Sequence, residues 1–255
     1  MQTKWAGRNL RCFAQIESTN LTAGMLGGEG APNGTLVTAD KQTGGRGRRG
    51  RTWESPAGKN LYFSLLLKPD LSLEKASMLT LLMAVSVARA VEETGKKCAG
   101  IKWPNDILIH GKKVCGILTE LKVENARIGH VIIGVGINVK DQEFEGELVE
   151  KASTLERECG VNIDRALLLA KIMNYFEKDM ELFLEKGDLE PFMEYYHEHL
   201  LNKDAYVRVL DPQNPFEGIA RGITPTGELL VEKEDQTLEA VYAGEVSVRG
   251  LQGYV

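Results

Sequence analysis

The sequence predicts an α+β protein in which a mixed β-sheet flanked by helices is followed by a small all-β barrel. Two observations support this fold class. Up to about residue 200, strand-like apolar runs are mixed with two long helical segments. Beyond Asn202, short strand-like pieces separated by turn residues follow. We therefore predict a larger domain over residues 1–202 and a smaller one over residues 203–255.

Five apolar runs in the larger domain are typical of strands, because Gly, Pro or Asn residues bound them. We expect all five to lie in one sheet. The runs are Gly34–Ala39, Asn60–Leu67, Ile107–Ile109, Val114–Leu121 and Val131–Val139.

Two longer segments of this domain have helical periodicity. Leu73–Glu93 is apolar almost all round in its middle, as expected for a helix packed deep against the sheet. Asp164–Glu185 starts with a favourable N-cap residue, and its apolar side chains recur at helical spacing. These side chains are Leu168, Ile172, Tyr175, Phe176 and Phe183.

The smaller domain contains four strand-like pieces, which together predict a small barrel. Its turns, Asp211–Pro215 and Pro225–Gly227, contain the Pro, Asn and Gly residues that turns require. The strand-like pieces are Ala205–Leu210, Phe216–Ile223, Glu228–Glu234 and Val246–Arg249.

Composition and charge argue against a generally polyanion-binding protein and against a membrane-spanning one. With 255 residues and a formal net charge of −5, the surface as a whole does not attract polyanions. The longest uncharged run, Ala76–Ala88, has 13 residues, whereas a membrane-spanning helix needs about 20. The cysteines show neither a CxxC pair nor a preceding leader, so we expect free thiols, a cytoplasmic location and no membrane contact.

The most informative segment is the loop Gly44–Arg51, which combines four glycines with four arginines between two predicted strands. A nucleic-acid or localisation patch is one interpretation of such a basic cluster. The glycines favour another, because their backbone freedom lets amide groups form an anion-binding concavity, to which arginine adds bidentate phosphate contacts. We therefore predict a loop that wraps a small phosphate-bearing molecule and is mobile when empty.

A second constellation, Lys102–Leu118, predicts a strand, a proline-marked turn and a hairpin closed near residue 110. The hairpin would return Lys113 beside the turn at Asn105 and Asp106. One interpretation is purely structural, with a capped turn and a solvated lysine. Gly116 favours a binding role, because a missing side chain leaves one strand face open to a ligand whose carboxylate Lys113 could meet.

Two further segments add candidate binding groups. In Gly134–Asn138, two glycines lie two residues apart, so one face of the strand carries no side chains there and a flat ligand could lie on it. The alternative interpretation is a bulge or a bend of the strand. Near the amino end, Ser18–Asn20 follows the apolar segment Phe13–Ile16 and is typical of a helix N-cap. Such a cap can also offer polar groups to a ligand.

Taken together, these segments resemble the biotin protein ligases in their order and spacing. Single motifs are weak, whereas the ordered set is specific and extends from about residue 13 to the end of the chain. The resemblance implies a catalytic domain like that of class II aminoacyl-tRNA synthetases, followed by an SH3-like barrel. The matching segments are Ser18–Asn20, Gln42 with Gly45–Arg51, Lys102–Asp106, Lys113–Leu118, Gly134–Asn138 and, as the last barrel strand, Gly244–Arg249.

The resemblance also implies a reaction and the residues that perform it. Biotin and ATP, with Mg²⁺ on the triphosphate, would form biotinyl-5′-AMP, and biotin would then pass to a lysine of a carrier domain. Lys113, Arg48 and Asp106 would be catalytic, with Asp106 orienting or deprotonating the incoming lysine. Biotin would contact Ser18, Thr19, Asn20, Gln42, Gly45, Arg46, Gly47, Arg48, Lys113, Gly116, Gly134 and Gly136, and ATP would contact Arg48, Arg49, Arg51, Trp53 and Asn138.

The chain departs from the family pattern in two places. Many members begin with a winged-helix DNA-binding domain, whereas the ligase pattern here starts within the first twenty residues, so we expect no DNA binding. Some members place a tryptophan over adenine, but the corresponding stretch Lys151–Thr154 has none. By strand pairing, an exposed sheet edge would dock a biotin carboxyl carrier protein or domain, or a second copy of the chain in a possible homodimer.

Two other functions are compatible with parts of the sequence. A lipoate or octanoate transferase also modifies a carrier lysine, but its fatty-acyl pocket needs fewer polar groups than Ser18, Thr19 and Gln42 provide. A non-enzymatic RNA-binding protein could use the arginine loop and the barrel. Residues 46–51 contain no aromatic side chain on which a base could stack, which argues against this second alternative.

Overall fold

The computed structural model describes residues 1–211 and 214–243, together with the backbone of 248–250. Its larger unit is a seven-stranded mixed sheet that contains all five predicted strands, as expected. Among the strands described, only β1 and β2 pair in parallel. In spatial order the strands are β1 (Leu10–Ile16), β2 (Thr35–Gln42), β3 (Leu61–Leu67), β7 (Arg127–Ile137), β6 (Lys112–Glu124), β5 (Asp106–Ile109) and β4 (Gly100–Lys102).

Two long helices cover one face of the sheet and form the core with it. The predicted segment from Leu73 divides into a 3₁₀ turn, Leu73–Ser77, and helix α2 (Met78–Gly95), most of whose residues are buried. Helix α5 (Arg165–Lys186) packs against α2. The carboxylate of Asp164 accepts hydrogen bonds from the first free amides of α5, so the predicted N-cap is confirmed.

Helix α1 (Thr19–Gly28) covers only one end of the opposite face. Its buried Ala23 packs with Val37, Leu66 and Ile132 in a small separate cluster. Because side chains alternate along a strand, the rows that hold Leu66 and Ile132 continue into Ser64, Gly134 and Gly136. Beyond α1, β7 therefore presents only glycines on this face of the sheet, with the small Ser64 of β3 beside Gly134.

The C-terminal unit is a five-stranded antiparallel sheet, so the fold class is confirmed, including an SH3-like C-terminal unit. The strand Leu238–Val241 was not predicted, and part of the predicted strand Val246–Arg249 lies outside the described residues, as does most of Gly244–Arg249. The domain boundary after residue 202 stays a prediction. In spatial order the strands are β11 (Leu238–Val241), β10 (Leu229–Glu232), β9 (Phe216–Ile223), β8 (Tyr206–Val209) and β12 (Val248–Gly250).

The two units are joined by specific hydrogen bonds. The indole Nε1 of Trp103 donates to the Gly227 carbonyl at 3.1 Å, and the Ile223 amide donates to Nε2 of His197 at 2.9 Å. His197 belongs to the short helix α6 (Met193–His199). Two other short helices in the described residues are α3 (Leu148–Lys151) and α4 (Leu155–Cys159). None of the helices in the described part of the chain combines the length and apolarity that a membrane span requires.

Candidate active site

The start of α1 carries a buried network of polar side chains. Ser18 occupies the predicted N-cap position but makes no side-chain capping hydrogen bond. Instead, the side-chain Oε1 of Gln42 accepts hydrogen bonds from the Thr19 backbone amide at 2.8 Å and from the Thr19 hydroxyl at 3.1 Å. Ser64 Oγ lies 2.8 Å from Thr19 Oγ1 and 2.6 Å from Asn20 Oδ1, and the Asn20 amide donates to Glu120 at 2.6 Å. This network fixes several donors and acceptors on the open sheet surface.

The predicted glycine-stripped surface is present in the sheet. Gly116 of β6 lies directly opposite Gly136 of β7, and Gly134 is paired with Leu118 on one side and Ser64 on the other. The register is continuous here, so the alternative of a bulge at these glycines is wrong. A methyl group on Gly134 would collide with Asn20.

Trp53 fills the space above two of these glycines. A Cβ atom on Gly136 would lie 2.5 Å from the indole Nε1 of Trp53, and one on Gly116 would lie 2.9 Å from the same ring. The Lys113 ammonium lies 5.2 Å from the centre of the ring, within range of a cation–π contact. A ligand that crosses these strands must therefore stack against the indole or displace it.

Replacing Gly136 with alanine should destabilise the protein, because the new methyl group overlaps Trp53. Overpacking of this kind costs about 1–3 kcal/mol in the free energy of unfolding, which urea denaturation can measure. Gly24→Ala is the matched control. A Cβ at this helical position has nothing within 4 Å, so we expect equal or slightly higher stability. Equal stability of both variants would mean that Trp53 does not rest on Gly136.

The two ends of the arginine–glycine loop, which lies between β2 and β3, are joined by hydrogen bonds. Arg46 and Thr52 pair as an antiparallel bridge, and the Gly47 amide donates to the Arg51 carbonyl at 2.7 Å. Arg49 sits at the tip in the left-handed region with φ 58°. Gly50 follows with a φ of 71°, so this glycine serves the tight turn. Close approach of the loop to a ligand and its mobility when empty stay predictions.

Arg48 connects the loop to two other parts of the protein. Its Nη1 donates to Asn105 Oδ1 at 3.0 Å, and its Nη2 donates to the Ala243 carbonyl in the C-terminal unit at 2.5 Å. Burial lowers the pKa of the Arg48 guanidinium, while the nearby Asp106 carboxylate opposes this shift. The guanidinium remains a cation at neutral pH and is half-buried in the site.

The predicted hairpin brings Lys113 to Asp106, with 2.6 Å between Nζ and Oδ1. The Lys113 side chain is only 22% exposed, so the alternative of a solvated lysine is wrong. A register shift opposite Ile107 inserts one extra residue into β6, which turns Lys113 toward the face of Gly116. Asn105 is held beside them by two hydrogen bonds to the backbone of Ile117, each 2.9 Å long.

Two adjoining cavities contain nearly all predicted site residues. Eleven of the twelve predicted biotin-binding residues line a small cavity of about 50 Å³, and Gly45 lies behind it against Trp53 and Ser55. All five predicted ATP-binding residues line a larger cavity of about 620 Å³. Both cavities share Gly47, Arg48, Trp53, Asn105 and Lys113.

Sequence reasoning missed part of the larger cavity. Phe144 and Leu148 contribute apolar surface from the segment after β7, and Gln142, Glu147 and Lys151 contribute polar groups. The segment up to residue 146 has no helix or strand, and charged residues alternate with others in it, so no periodic signal marked it as part of the site.

Comparison with known proteins identifies the family. Residues 12–138 match the Biotin/lipoate A/B protein ligase family, and residues 206–249 match the Biotin protein ligase C terminal domain. The bifunctional ligase/repressor BirA of Bacillus subtilis is 40% identical over 250 residues, which cover 97% of this chain and 76% of that relative. The chain belongs to the biotin protein ligase family.

Other members of the biotin protein ligase family are similar over most of their length. The biotin–[acetyl-CoA-carboxylase] ligase of Mycobacterium tuberculosis is 29% identical over 94% of this chain and 88% of its own length. The solved structure of the Aquifex aeolicus biotin protein ligase in complex with biotin and ATP is 32% identical, with a TM-score of 0.83. The similarity covers 95% of this chain and 99% of that one.

Proposed function

We infer that this chain is a biotin protein ligase, which forms biotinyl-5′-AMP from biotin and ATP and transfers biotin to a lysine of a carrier domain. Relatives named as biotin–[acetyl-CoA-carboxylase] ligases and a relative's structure with biotin and ATP support this function. One observation of this structure carries the inference. A small polar cavity and a large arginine-lined cavity meet at Lys113 and Arg48, as a reaction between a carboxylate and a nucleotide requires.

We propose that biotin lies in the small cavity with its ureido ring at the start of α1. There Ser18, Thr19 and Gln42 offer the donors and acceptors that a buried ureido group needs. The valeryl chain would cross Gly116 and Gly136 beneath the Trp53 indole. Its carboxylate would then reach Lys113, at the junction of the two cavities.

In the first step, a biotin carboxylate oxygen attacks the α-phosphorus of ATP, a P–O bond forms, and diphosphate leaves. Two anions approach each other, so the partly buried cations of Lys113 and Arg48 would lower the barrier, each by on the order of 3 kcal/mol. Mg²⁺ is part of this proposal. Gln142 and Glu147 offer the oxygen donors that Mg²⁺ prefers, and the bound metal would neutralise charge on the triphosphate.

In the second step, the amine of the carrier lysine attacks the biotinyl carbonyl, an amide forms, and AMP leaves. The lysine amine must be neutral to attack, although the unperturbed pKa of a lysine side chain is about 10.4. Asp106 lines the larger cavity beside Lys113 and is only 9% exposed, and we propose that it orients this amine or accepts its proton.

Phe144 is our candidate for packing the adenine in the absence of the tryptophan found in some relatives. Loss of one base–aromatic stack costs about 1–3 kcal/mol, so Phe144→Ala should raise the KM for ATP about tenfold with little change in the KM for biotin. Steady-state diphosphate release measures both constants. Phe13→Ala, which removes a partly exposed phenylalanine from edge strand β1, is the matched control. An unchanged KM for ATP would assign adenine packing elsewhere.

The function itself is tested by incubating the protein with biotin, MgATP and a biotin carboxyl carrier domain. Intact mass spectrometry should show that the carrier gains one biotinyl group, and only when ATP is present. A gain in carrier mass with lipoate or octanoate, and none with biotin, would assign the chain the function of the related lipoate or octanoate transferases.

We also propose that this chain acts without binding DNA. Its formal net charge of −5 opposes non-specific DNA binding, and its arginine cluster is engaged at the ligand cavities. A gel-shift experiment with biotinyl-5′-AMP and a pool of DNA sequences should show no retention. Retention of a specific sequence at physiological salt would contradict this proposal.

A further inference from the structure

A second cluster of reactive side chains lies outside the lining of both cavities. Glu92 near the end of α2, Cys98 in the loop before β4 and His199 at the end of α6 converge there. A carboxylate oxygen, the thiol sulfur and a ring nitrogen all lie within 4.8 Å of one another. Carboxylate, thiolate and imidazole are the three side-chain donors that zinc accepts in proteins.

The hydrogen bonds of His199 require a cation between its ring and Glu92. The ring Nδ1 lies 2.7 Å from the Tyr195 carbonyl, which can only accept, so Nδ1 carries the hydrogen. In a neutral ring, Nε2 then presents a lone pair, and it faces a Glu92 carboxylate oxygen at 3.0 Å. Two lone pairs repel at this distance, so either a proton or a metal ion must lie between them.

The surrounding groups hold His199, which is buried, and Glu92, which is partly exposed, in place. Besides His199, the Glu92 carboxylate accepts the Tyr195 hydroxyl at 2.8 Å and the Ala99 amide at 3.2 Å. The Tyr195 ring stacks on the His199 ring with 3.9 Å between their centres. A carbonyl partner on the far nitrogen of a histidine and hydrogen-bonded carboxylates are the outer contacts that orient metal ligands in proteins.

We propose that Glu92, Cys98 and His199 bind one Zn²⁺ ion, with a solvent molecule as the fourth ligand. Cys98 is exposed, so its side chain can turn to the roughly 2.3 Å sulfur–zinc distance and leave a position for solvent. The ion would connect α2 and the loop before β4 with α6. Helix α6 is followed in the chain by the C-terminal unit. Its role would be structural, because binding to the folded state alone stabilises that state.

Alkylation of the cysteines tests this proposal on the unaltered chain. All four cysteines are free, but only Cys12 and Cys98 are exposed, so Cys12 is an internal control. The chelator-treated protein is reacted with iodoacetamide with and without one equivalent of ZnCl₂, and each site is followed by peptide mass mapping. Zinc should slow alkylation of Cys98 at least about tenfold and leave Cys12 unchanged. Equal rates at Cys98 would overturn the proposal in favour of a proton between His199 and Glu92.

Variants provide the second measurement. Zinc should raise the Tm of the wild-type protein, and native mass spectrometry should show one tightly bound ion per chain. Cys98→Ser alters an exposed side chain and should fold, but we expect it to lose the zinc-dependent rise in Tm and to bind zinc on the order of 100-fold more weakly. Cys12→Ser should behave as wild type. A zinc-dependent rise that persists in Cys98→Ser would also overturn the proposal.

Discussion

Lys113→Ala is expected to lower kcat/KM for biotinyl-adenylate formation by about 10²–10³-fold, which corresponds to the loss of one preorganised charge at the reacting centre. The Lys113 ammonium is mostly buried, contacts Asp106 and lies at the junction of the two cavities. Among the described residues, no other lysine lines both cavities. Its removal also leaves the Asp106 carboxylate without this partner, which would repel both anionic substrates.

Separate assays of the two half-reactions locate this effect. Diphosphate release reports adenylation, whereas transfer from supplied biotinyl-5′-AMP to a carrier domain bypasses it. Lys112→Ala is the matched control, because neighbouring residues of a strand point to opposite faces and Lys112 lies outside the lining of the cavities. We expect the control to retain wild-type rates. If Lys113→Ala adenylates biotin at the wild-type rate and unfolds at the same urea concentration, the assigned role is wrong.

Arg48→Gly is expected to release biotinyl-5′-AMP and to raise the labelling of bystander proteins at least about tenfold. The Arg48 guanidinium ties the loop to Asn105 and to Ala243 of the C-terminal unit. Glycine removes both ties and adds backbone freedom, so the closed form of the loop loses stability. Biotinyl-5′-AMP is a mixed anhydride that amines attack without a catalyst once it escapes into solution.

A mixed-protein labelling assay measures this effect as the ratio of carrier to bystander biotinylation. Arg208→Ala is the control, because it removes an exposed, ion-paired arginine from strand β8 of the C-terminal unit. Arg48→Lys should give an intermediate ratio, since lysine keeps the charge but not the two-pronged geometry. Unchanged selectivity for the carrier in Arg48→Gly would refute the retaining role of this arginine.

Much of the fold could be predicted because hydrophobic patterning is a local property. The strands β2, β3, β6 and β7 and the helices α2 and α5 carry long apolar patterns, so the sequence indicated each of them. Strand β1 was missed because it is an edge strand with little burial, and its sequence mixes polar and apolar residues without regular alternation. The short helices α3, α4 and α6 are too brief to establish a helical period.

The residue types of the candidate site could be recognised from short sequence motifs. The order of the arginine loop, the Lys102–Asp106 turn and the glycine-bearing strands identified the family and most residues that line the small cavity, but not the part of the larger cavity that follows β7. These motifs are recognisable in sequence because each is a short run of residue types with unusual backbone or charge properties. Glycine and arginine are informative for that reason.

The way in which these groups face one another depends on contacts between distant segments. The extra residue in β6 turns Lys113 to the ligand side, although strict alternation would point it into the core with Cys115. Trp53 rests on Gly116 and Gly136, which lie far from it in sequence. Glu92 and His199 are likewise neighbours only because α2 and α6 pack around the same strand, β4. Such contacts depend on register and packing between distant segments, and no local pattern encodes them.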